Sequence, residues 1–198
     1  MLIRFVAVGL LGLLLTACSS TRDTRVDPDA ADTVTGTGLQ SMDIRTMAQQ
    51  MAADLKADGI LAGGKEGERV SFYVTEMKND SSDVIDKEII LLNLRTELFK
   101  AYGRRVRFLD RSPEANEITD AERRMKDRGQ VSGVNDKKIA GGDYVLKGVM
   151  KSRDRQAGRL RSSYISVTFE LTDLVTQELA WTNNYDMKTE SEKSVINR

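Results

Sequence analysis

The sequence predicts a single domain of the mixed α/β class, with about five strands in the order α-β-α-β-α-β-β-β. Two observations support this prediction. Over the first two thirds of the chain, stretches with apolar residues at helical spacing alternate with short stretches in which every second residue is apolar. The last third holds three alternating stretches joined by short turns, which is typical of antiparallel strands. We therefore expect one sheet with a C-terminal three-stranded antiparallel meander and helices packed on it.

The first helix is predicted to begin at Ser41, whose hydroxyl can cap it. Its apolar stripe, which we expect in the core, holds Ile44, Met47, Met51 and Leu55. A strand is predicted over residues 69–77, because apolar side chains there fall on one face, namely Val70, Phe72 and Val74. The polar stretch 78–84 is predicted to be a loop.

A second helix is predicted over residues 85–102, with Gly103 ending it. Its broad apolar surface consists of Ile89, Leu91, Leu92, Leu94, Leu98 and Phe99. The stretch 105–109 is predicted to be a second strand, with Val106 and Phe108 pointing inward.

A third helix is predicted over residues 113–128, because Ser112 can cap it and Pro113 fits the first helical position. This helix is highly charged, and its narrow apolar seam consists of Ile118, Ala121 and Met125. Gly129 is predicted to end it, and a short helical turn is predicted over 135–140.

The meander strands are predicted over residues 143–152, 163–174 and 179–188, with turns at 153–159 and 175–178. The middle strand alternates most clearly between apolar and polar residues, which predicts one packed face and one polar face. Gly148 lies inside the first of these strands, where glycine weakens pairing. Close packing of a helix on the sheet, or else a bulge, would explain it.

The N-terminus has the pattern of an export signal. Arg4 precedes an apolar run over 5–15 that is too short to span a bilayer, and Cys18, the one cysteine, follows small residues. The segment 15–18 resembles the lipobox of bacterial lipoproteins, which implies cleavage after Ala17 and acylation of Cys18. The alternative is an ordinary secretory peptide with a chance cysteine. Ser19, in place of an aspartate, implies sorting to the outer membrane.

These observations predict four segments. Residues 1–17 are the signal peptide, and 18–40 are the lipidated cysteine and a flexible tether that spans at most about 75 Å when fully extended. Residues 41–190 are the globular domain, and 191–198 are a C-terminal tail.

Composition excludes several function classes. The chain contains no histidine, which rules out Ser-His-Asp and Cys-His nucleophiles in their usual form and most zinc and copper sites. Its 30 basic and 30 acidic residues give no net charge, so nothing indicates nucleic-acid binding. We predict no catalytic residue, no metal and no cofactor.

The candidate sites are therefore surfaces. Four arginines, Arg153, Arg155, Arg159 and Arg161, surround the first predicted turn of the meander, and arginine is enriched at the energetic centres of interfaces. A merely solvated turn is the alternative. Tyr185 is a further candidate for partner binding, whereas Trp181 on the same face is expected in the core. Asp110 and Asp143 are expected to be cap and turn residues.

Several stretches of the chain together resemble the LpoB family. The stretches that carry the resemblance are Gly142–Met150, Tyr164–Leu174 and Glu178–Thr182, preceded by Val106–Arg111 and by an Ile85-Asp86 pair that opens a helix. The resemblance covers roughly residues 42–188 and includes the lipoprotein signal.

The resemblance implies a small α/β domain related to the N-terminal domain of TolB and to curli-secretion lipoproteins. It implies a non-catalytic lipoprotein on the periplasmic face of the outer membrane, which binds and activates a class A penicillin-binding protein, a peptidoglycan synthase. Well-known members have a longer, proline-rich tether, whereas this tether has a single proline, Pro28. The alternatives are an envelope assembly or secretion lipoprotein related to the curli-export family, and a carboxylate-based glycan hydrolase.

Overall fold

The structure is a computed structural model that describes residues 23–28, 30–33, 36, 38–62, 68–133 and 138–192. The chain divides into two compact units, residues 1–30 and 31–198. In the first unit, the described residues include a turn in which the Ala30 N–H donates to the Asp27 carbonyl at 3.0 Å. The signal peptide, Cys18, residues 135–137 of the predicted helical turn and residues 193–198 of the tail lie outside the described residues.

The second unit contains one five-stranded sheet, with the strand order β2-β1-β3-β4-β5. Strand β1 is parallel to β2 on one side and to β3 on the other, and β3, β4 and β5 form an antiparallel meander. The predicted fold class, element order and C-terminal meander are therefore confirmed. The strands are β1 (Ser71–Asp80), β2 (Arg107–Phe108), β3 (Tyr144–Ala157), β4 (Leu160–Asp173) and β5 (Leu179–Glu192).

The described residues form three α-helices: α1 (Ser41–Asp58) precedes β1, α2 (Lys87–Tyr102) connects β1 to β2, and α3 (Pro113–Asp127) connects β2 to β3. Helices α1 and α2 pack against each other, α2 packs on β1, and α1 contacts β5. Short 3₁₀ turns follow α1 and α2 at Ile60–Ala62 and Gly103–Arg105. Among the described residues, no helix is long and apolar enough to cross a membrane.

The helices cover one face of the sheet. In β4 the side chains that face the helices are buried, and these are Ile165, Val167, Phe169 and Leu171. The alternating side chains of β4 on the other face, such as Tyr164, are exposed or only partly buried. This opposite face, which we call the open face, is polar along β4 and β5 and along the second half of β3.

Helix α1 behaves as its pattern predicts, and α2 does not. All four residues of the α1 stripe are buried. In α2, however, three residues of the broad apolar surface, Ile89, Leu92 and Phe99, are 47%, 52% and 58% exposed. The buried residues of α2 are Ile90, Leu91, Leu94, Leu98 and Tyr102. The helix is apolar on most of its circumference, so its periodicity alone does not determine which stripe meets the sheet.

The start of α1 differs from the prediction in its cap. Ser41 is the first residue of the helix, and Gln40 is the capping residue, whose N–H donates to Asp43 Oδ2 at 3.0 Å. The N–H and hydroxyl of Ser41 donate instead to the Asp32 carboxylate, each at 3.1 Å. The Leu39 N–H donates to Asp83 Oδ2 at 2.9 Å. Residues on the N-terminal side of α1 are thus bonded to the domain.

Strand β1 is longer than predicted. Val70, Phe72 and Val74 are buried as expected, but the strand continues to Asp80, three residues into the predicted loop 78–84. The register shifts between Val74 and Met77, and Met77 is buried. A bulge changes the alternation of side chains, so the polar residues that follow it do not continue the earlier pattern.

Strand β2 is shorter than predicted. Only Arg107 and Phe108 pair with β1, although Val106 is buried as expected. The ring of Phe108 lies 4.9 Å from that of Phe72 and 5.2 Å from that of Phe99. The chain turns away at Asp110, whose carboxylate accepts from the Ser112 N–H at 3.0 Å at the start of α3.

Helix α3 begins as predicted, with Ser112 Oγ accepting from the Ala115 N–H at 3.2 Å and Pro113 in the first turn. It ends one residue earlier than predicted, with Gly129 in a left-handed conformation beyond it. None of its residues is buried, and Ile118, in the expected seam, is 70% exposed. The seam therefore does not pack into the core.

Strands β3 and β4 extend beyond the predicted limits and meet in a tight turn at Gly158 and Arg159, where Gly158 has a φ of 59°. The prediction of a turn over 153–159 is wrong, as is the end of the last strand, because β5 continues to Glu192. These outer ends are exposed on both faces. Strand pairing there is maintained by backbone hydrogen bonds, so the side chains show no apolar alternation.

Gly148 makes room for an aromatic ring. It pairs with Phe169 on β4, and a Cβ atom at position 148 would lie 2.9 Å from Phe169 Cε1 and 3.3 Å from Met77 Cγ. The expectation of a helix pressed against this glycine is therefore wrong. The alternative explanation, a bulge, has partial support, since Met77, at the end of the β1 bulge, pairs with Gly148.

We expect Gly148→Ala to destabilise the domain by about 1–3 kcal/mol, because the Phe169 ring is 1% exposed and has little room to move. Urea unfolding measures the change. Gly141→Ala is the matched control, since nothing lies within 4 Å of its added Cβ, and its free energy of unfolding should change by less than about 0.5 kcal/mol. Equal stabilities of the two variants would contradict this packing.

Tyr102 makes the free energy of unfolding depend on pH in the alkaline range. Burial, and then the Asp58 carboxylate, raise the pKa of Tyr102 from 10.0 to about 12. An unfolded tyrosine loses its proton above pH 10, while the folded protein keeps it, so the free energy of unfolding falls as the pH rises from 10 to 12.

We expect Tyr102→Phe to reduce this alkaline loss. The variant should be at least as stable as the wild type at neutral pH, because the Tyr102 hydroxyl is buried with no hydrogen-bond partner among the described residues. Urea unfolding between pH 8 and pH 12 measures both effects. An unchanged slope above pH 10 would show that another group causes the loss.

Candidate functional site

The four candidate arginines do not form one loop tip. Arg153 and Arg155 lie on β3 and Arg161 on β4, while Arg159 alone lies in the turn. Arg153 pairs with Tyr164 and Arg155 with Ser162, which places both on the open face. Arg161 pairs with Gln156 and lies on the other face. The structure thus brings two of the arginines together and separates the other two.

Arg153 and Arg155 belong to a longer row of cations on the open face. Alternate residues of β3 point the same way, so Lys147, Lys151, Arg153 and Arg155 share this face, and we call them the basic stripe. All four are exposed. Residues two apart in a strand lie about 6.7 Å from each other, so the stripe is about 27 Å long.

The sequence did not predict this row, because the lysines lie in the predicted strand 143–152 while Arg153 and Arg155 lie in the predicted turn 153–159. The signal was present as a period of two, since the cations at positions 147, 151, 153 and 155 are all odd-numbered. Residues in a turn share no common direction, so the prediction separated the two arginines from the lysines. The observed strand runs to Ala157 and places all four side chains on one face.

The cations of the stripe differ in their partners. Lys147 Nζ lies 3.6 Å from Glu170 Oε2 on β4. Among the residues that the structure describes, no carboxylate lies within ion-pair distance of Lys151, Arg153 or Arg155. These three charges point into solvent, and binding an acidic surface would not require them to give up an existing ion pair.

A tyrosine and an aspartate lie beside the stripe. Tyr164 is 40% exposed on the open face, directly across from Arg153. Hydrogen bonds from Ser166 and Tyr164 hold the pKa of Asp186 below its usual range, and the bond to Asp186 raises the pKa of Tyr164. The exposed ring of Tyr164 lies next to Arg153 on the open face.

Tyr185 and Trp181 lie on the opposite side of the sheet from the stripe. They pair with Val167 and Leu171, two buried residues of β4, and both are partly buried against the core. Burial, and then the Asp43 carboxylate on α1, raise the pKa of Tyr185. The expectation for Trp181 agrees with this position. Tyr185 contacts the core rather than the arginines that the sequence analysis grouped with it.

Asp110 and Asp143 have the structural roles expected of them. Hydrogen bonding to Ser112 holds the pKa of Asp110 below its usual value. Asp143 Oδ2 accepts from the Ser71 N–H at 2.7 Å, and the Asp143 N–H donates back to the Ser71 carbonyl at 2.7 Å. The Ser71 hydroxyl lies 2.8 Å from both Asp143 Oδ2 and the Gly141 carbonyl, so it donates to one of them. These contacts join the starts of β1 and β3.

The structure defines a small domain of the two-layer α/β class, with a cationic strand on the open face of its sheet. A model of the family described as "Peptidoglycan-synthase activator LpoB" matches residues 43–187. The chain belongs to the LpoB family, which confirms the resemblance found in its sequence. Among curated proteins, none matches the chain.

Several solved structures are similar to parts of the chain. The LpoB C-terminal domain from Salmonella enterica is 14% identical with a TM-score of 0.44, covering 73% of this chain and 98% of that one. The NMR structure of Escherichia coli LpoB is 11% identical with a TM-score of 0.40, covering 90% and 87%. Lipoprotein GNA1162 from Neisseria meningitidis is 19% identical with a TM-score of 0.40, covering 64% and 88%. Family membership rests on the family model.

We expect Asp143→Ala to lower the free energy of unfolding by about 1–3 kcal/mol, because it removes the acceptor of the Ser71 N–H and Ser71 is 4% exposed. Asp143→Asn is the matched control, since an amide oxygen can still accept this bond, and it should lose less. Urea unfolding measures both. Equal losses would mean that the carboxylate charge, rather than the accepted hydrogen bond, stabilises this junction.

Proposed function

We propose that this chain is a lipid-anchored periplasmic regulator that binds a class A penicillin-binding protein and raises its peptidoglycan-synthase activity. The observation that supports this most is the family model, which spans nearly all of the domain and is described as a synthase activator. The chain would act by binding, without making or breaking bonds itself. This agrees with a family described by activation of another enzyme.

The proposed anchor is Cys18, acylated on its thiol and, after cleavage, on its new N-terminus. A single acyl chain holds a protein weakly to a membrane, while several hold it firmly. Ser19 supports sorting to the outer membrane, which would place the domain on the periplasmic face.

The length of the tether limits how far from the membrane the domain can bind its partner. Because Asp32 and Leu39 are hydrogen-bonded to the domain, only residues 19–31 remain to separate it from the anchor. Fully extended, these residues span at most about 45 Å. The partner's contact region must therefore come within this distance of the anchoring membrane, beyond the dimensions of the domain itself.

We propose that the basic stripe is the centre of the contact, with Arg153 and Arg155 as its main cations and Arg159 at the end of the hairpin. Three features of Arg153 and Arg155 support this choice: both are exposed, both lie on the open face, and neither has an ion-pair partner among the described residues. Arg161 and Tyr185 lie on the other face, so they would contribute only if the partner also reaches the helix side. An acidic surface on the synthase would complement the stripe.

The function is tested with the soluble chain 19–198 and each class A synthase of the cell that makes it. We expect direct binding by isothermal calorimetry and faster glycan polymerisation and crosslinking in the presence of the chain. Absence of binding to every such synthase would make the proposal wrong.

We expect the double variant Arg153→Glu with Arg155→Glu to bind the synthase at least about tenfold more weakly, equivalent to about 1.4 kcal/mol, because two central charges repel an acidic surface. The matched control is Arg124→Glu with Arg128→Glu at the exposed C-terminal end of α3, which changes the net charge equally. Equal losses in both variants would indicate long-range attraction without docking on the stripe.

A single Arg161→Glu variant tests the other face in the same assay. A loss as large as that of the stripe variant would show that the partner contacts both sides of the hairpin. Binding within about twofold of the wild type would restrict the contact to the open face.

A further inference from the structure

Among the described residues, strand β1 has a paired neighbour on its outer side at two positions, Ser71 and Phe72. The carbonyls of Val70 and Phe72 accept from the N–H groups of Arg107 and Leu109, at 2.8 and 2.9 Å. The Ser71 carbonyl points the other way, toward Asp143. By this alternation the backbone of Val74 points outward again, but no strand among the described residues pairs with β1 there. This edge is open to a further strand.

The open edge forms one wall of a groove. A cleft of about 810 Å³ lies between β1, α2 and the start of α3, and its lining includes Val74, Leu91 and Arg95. A smaller cleft of about 170 Å³ adjoins it and includes Phe99 and Phe108. Tyr73, Val74, Arg95 and Arg111 line both clefts, which therefore form one continuous groove beyond the end of β2.

The two edges of the sheet differ in charge. The outer strand β5 carries charges at alternate positions, Asp186, Lys188, Glu190 and Glu192, and such charges protect an edge against pairing with other chains. Among the described residues, β1 has no outer neighbour after Phe72; Tyr73 to Thr75 carry no charge, whereas Lys78 and Asp80 further along the strand do. The edge is therefore uncharged beside Val74, and a charge there would protect it against pairing.

The groove contains two arginines, Arg95 and Arg111, beside apolar side chains. Arg95 Nη1 lies 3.6 Å from Glu88 Oε1, longer than a charge-assisted hydrogen bond, so this pair is loose. Arg111 is held more firmly, because it donates to the Ala140 carbonyl and lies 5.9 Å from the centroid of the Tyr73 ring. Glu114, at the start of α3, and Asp110 also line the groove, and Ser112 already donates to the Asp110 carboxylate. Arg95 is thus the cation that an entering carboxylate can recruit.

We propose that this groove binds an extended peptide segment of another protein. The segment would add to the sheet beside Val74, in line with β2, with an acidic side chain on Arg95 and a neighbouring apolar side chain on Phe99. Main-chain pairing would supply affinity and the alternate side chains would supply selectivity. The site does not depend on the basic stripe or on the synthase.

A designed peptide tests the proposal with the soluble chain 19–198. The probe is acetyl-Thr-Val-Thr-Asp-Thr-Val-Thr-amide, in which both valines and the aspartate share one face. We expect it to bind at millimolar concentrations or below, shifting the amide signals of Val74 and Arg95 in NMR spectra. The same peptide with Asn in place of Asp should bind about tenfold more weakly, because the charged contact is lost.

Backbone pairing is tested with two N-methylated forms of the probe. Methyl groups on one alternate set of amides would block the edge that faces β1, and the other set would point to solvent. We expect one form to lose at least about tenfold in affinity and the other to bind as the parent does. Equal affinities of the two forms, or no binding of the parent peptide, would overturn the proposal.

Two variants of the protein are expected to act in opposite directions. Arg95→Gln should weaken the aspartate probe about tenfold, while Glu88→Gln should strengthen it, since it releases Arg95 from its competitor. Arg124→Gln is the control with the same charge change as Arg95→Gln, and it should leave binding unchanged. A loss of folding cannot produce this pair of opposite effects, and weaker binding by Glu88→Gln would contradict the proposed role of Arg95.

Discussion

The structure depends on a sheet that helices cover on one face only. Because α1 and α2 pack on that face, β4 places its apolar residues in alternation there, and the residues between them are exposed or partly buried. The buried face of β4 is the clearest result of this constraint. The open face results from the same alternation: side chains that do not enter the core point to this face, and there the cations of β3 form one row.

Strand β3 links the core to the candidate binding surface. Its first half lies between β1 and β4, where Leu146 and Met150 are buried and Gly148 admits the Phe169 ring. Its second half continues as an exposed strand that carries most of the basic stripe. A shift of one residue in the pairing of β3 would move the cations to the helix side. The register that packs Phe169 therefore also fixes the direction of Arg153 and Arg155.

Residues around β1 show how local departures from regular pairing create distinct surfaces. The short β2 leaves the edge of β1 open at Val74, and the bulge before Met77 ends the regular stretch. At the start of the strand, Ser71 and Asp143 join β1 to β3. The groove and the stripe thus lie on different parts of one sheet, and a partner on one of them need not exclude a partner on the other.

The sequence by itself determined the order of elements, the class of fold, the α1 stripe, the cap at Ser112 and the family. Each depends on local periodicity or on residue types at fixed spacing. Tertiary structure decided which side of α2 is buried, because that helix is apolar on most of its surface and only its neighbours distinguish Ile90 from Ile89. It also decided where the strands end. Beyond Ser152 and Lys188, pairing continues through backbone bonds that leave no mark in side-chain polarity, and this pairing places Lys147 and Lys151 beside Arg153 and sends Arg161 to the other face.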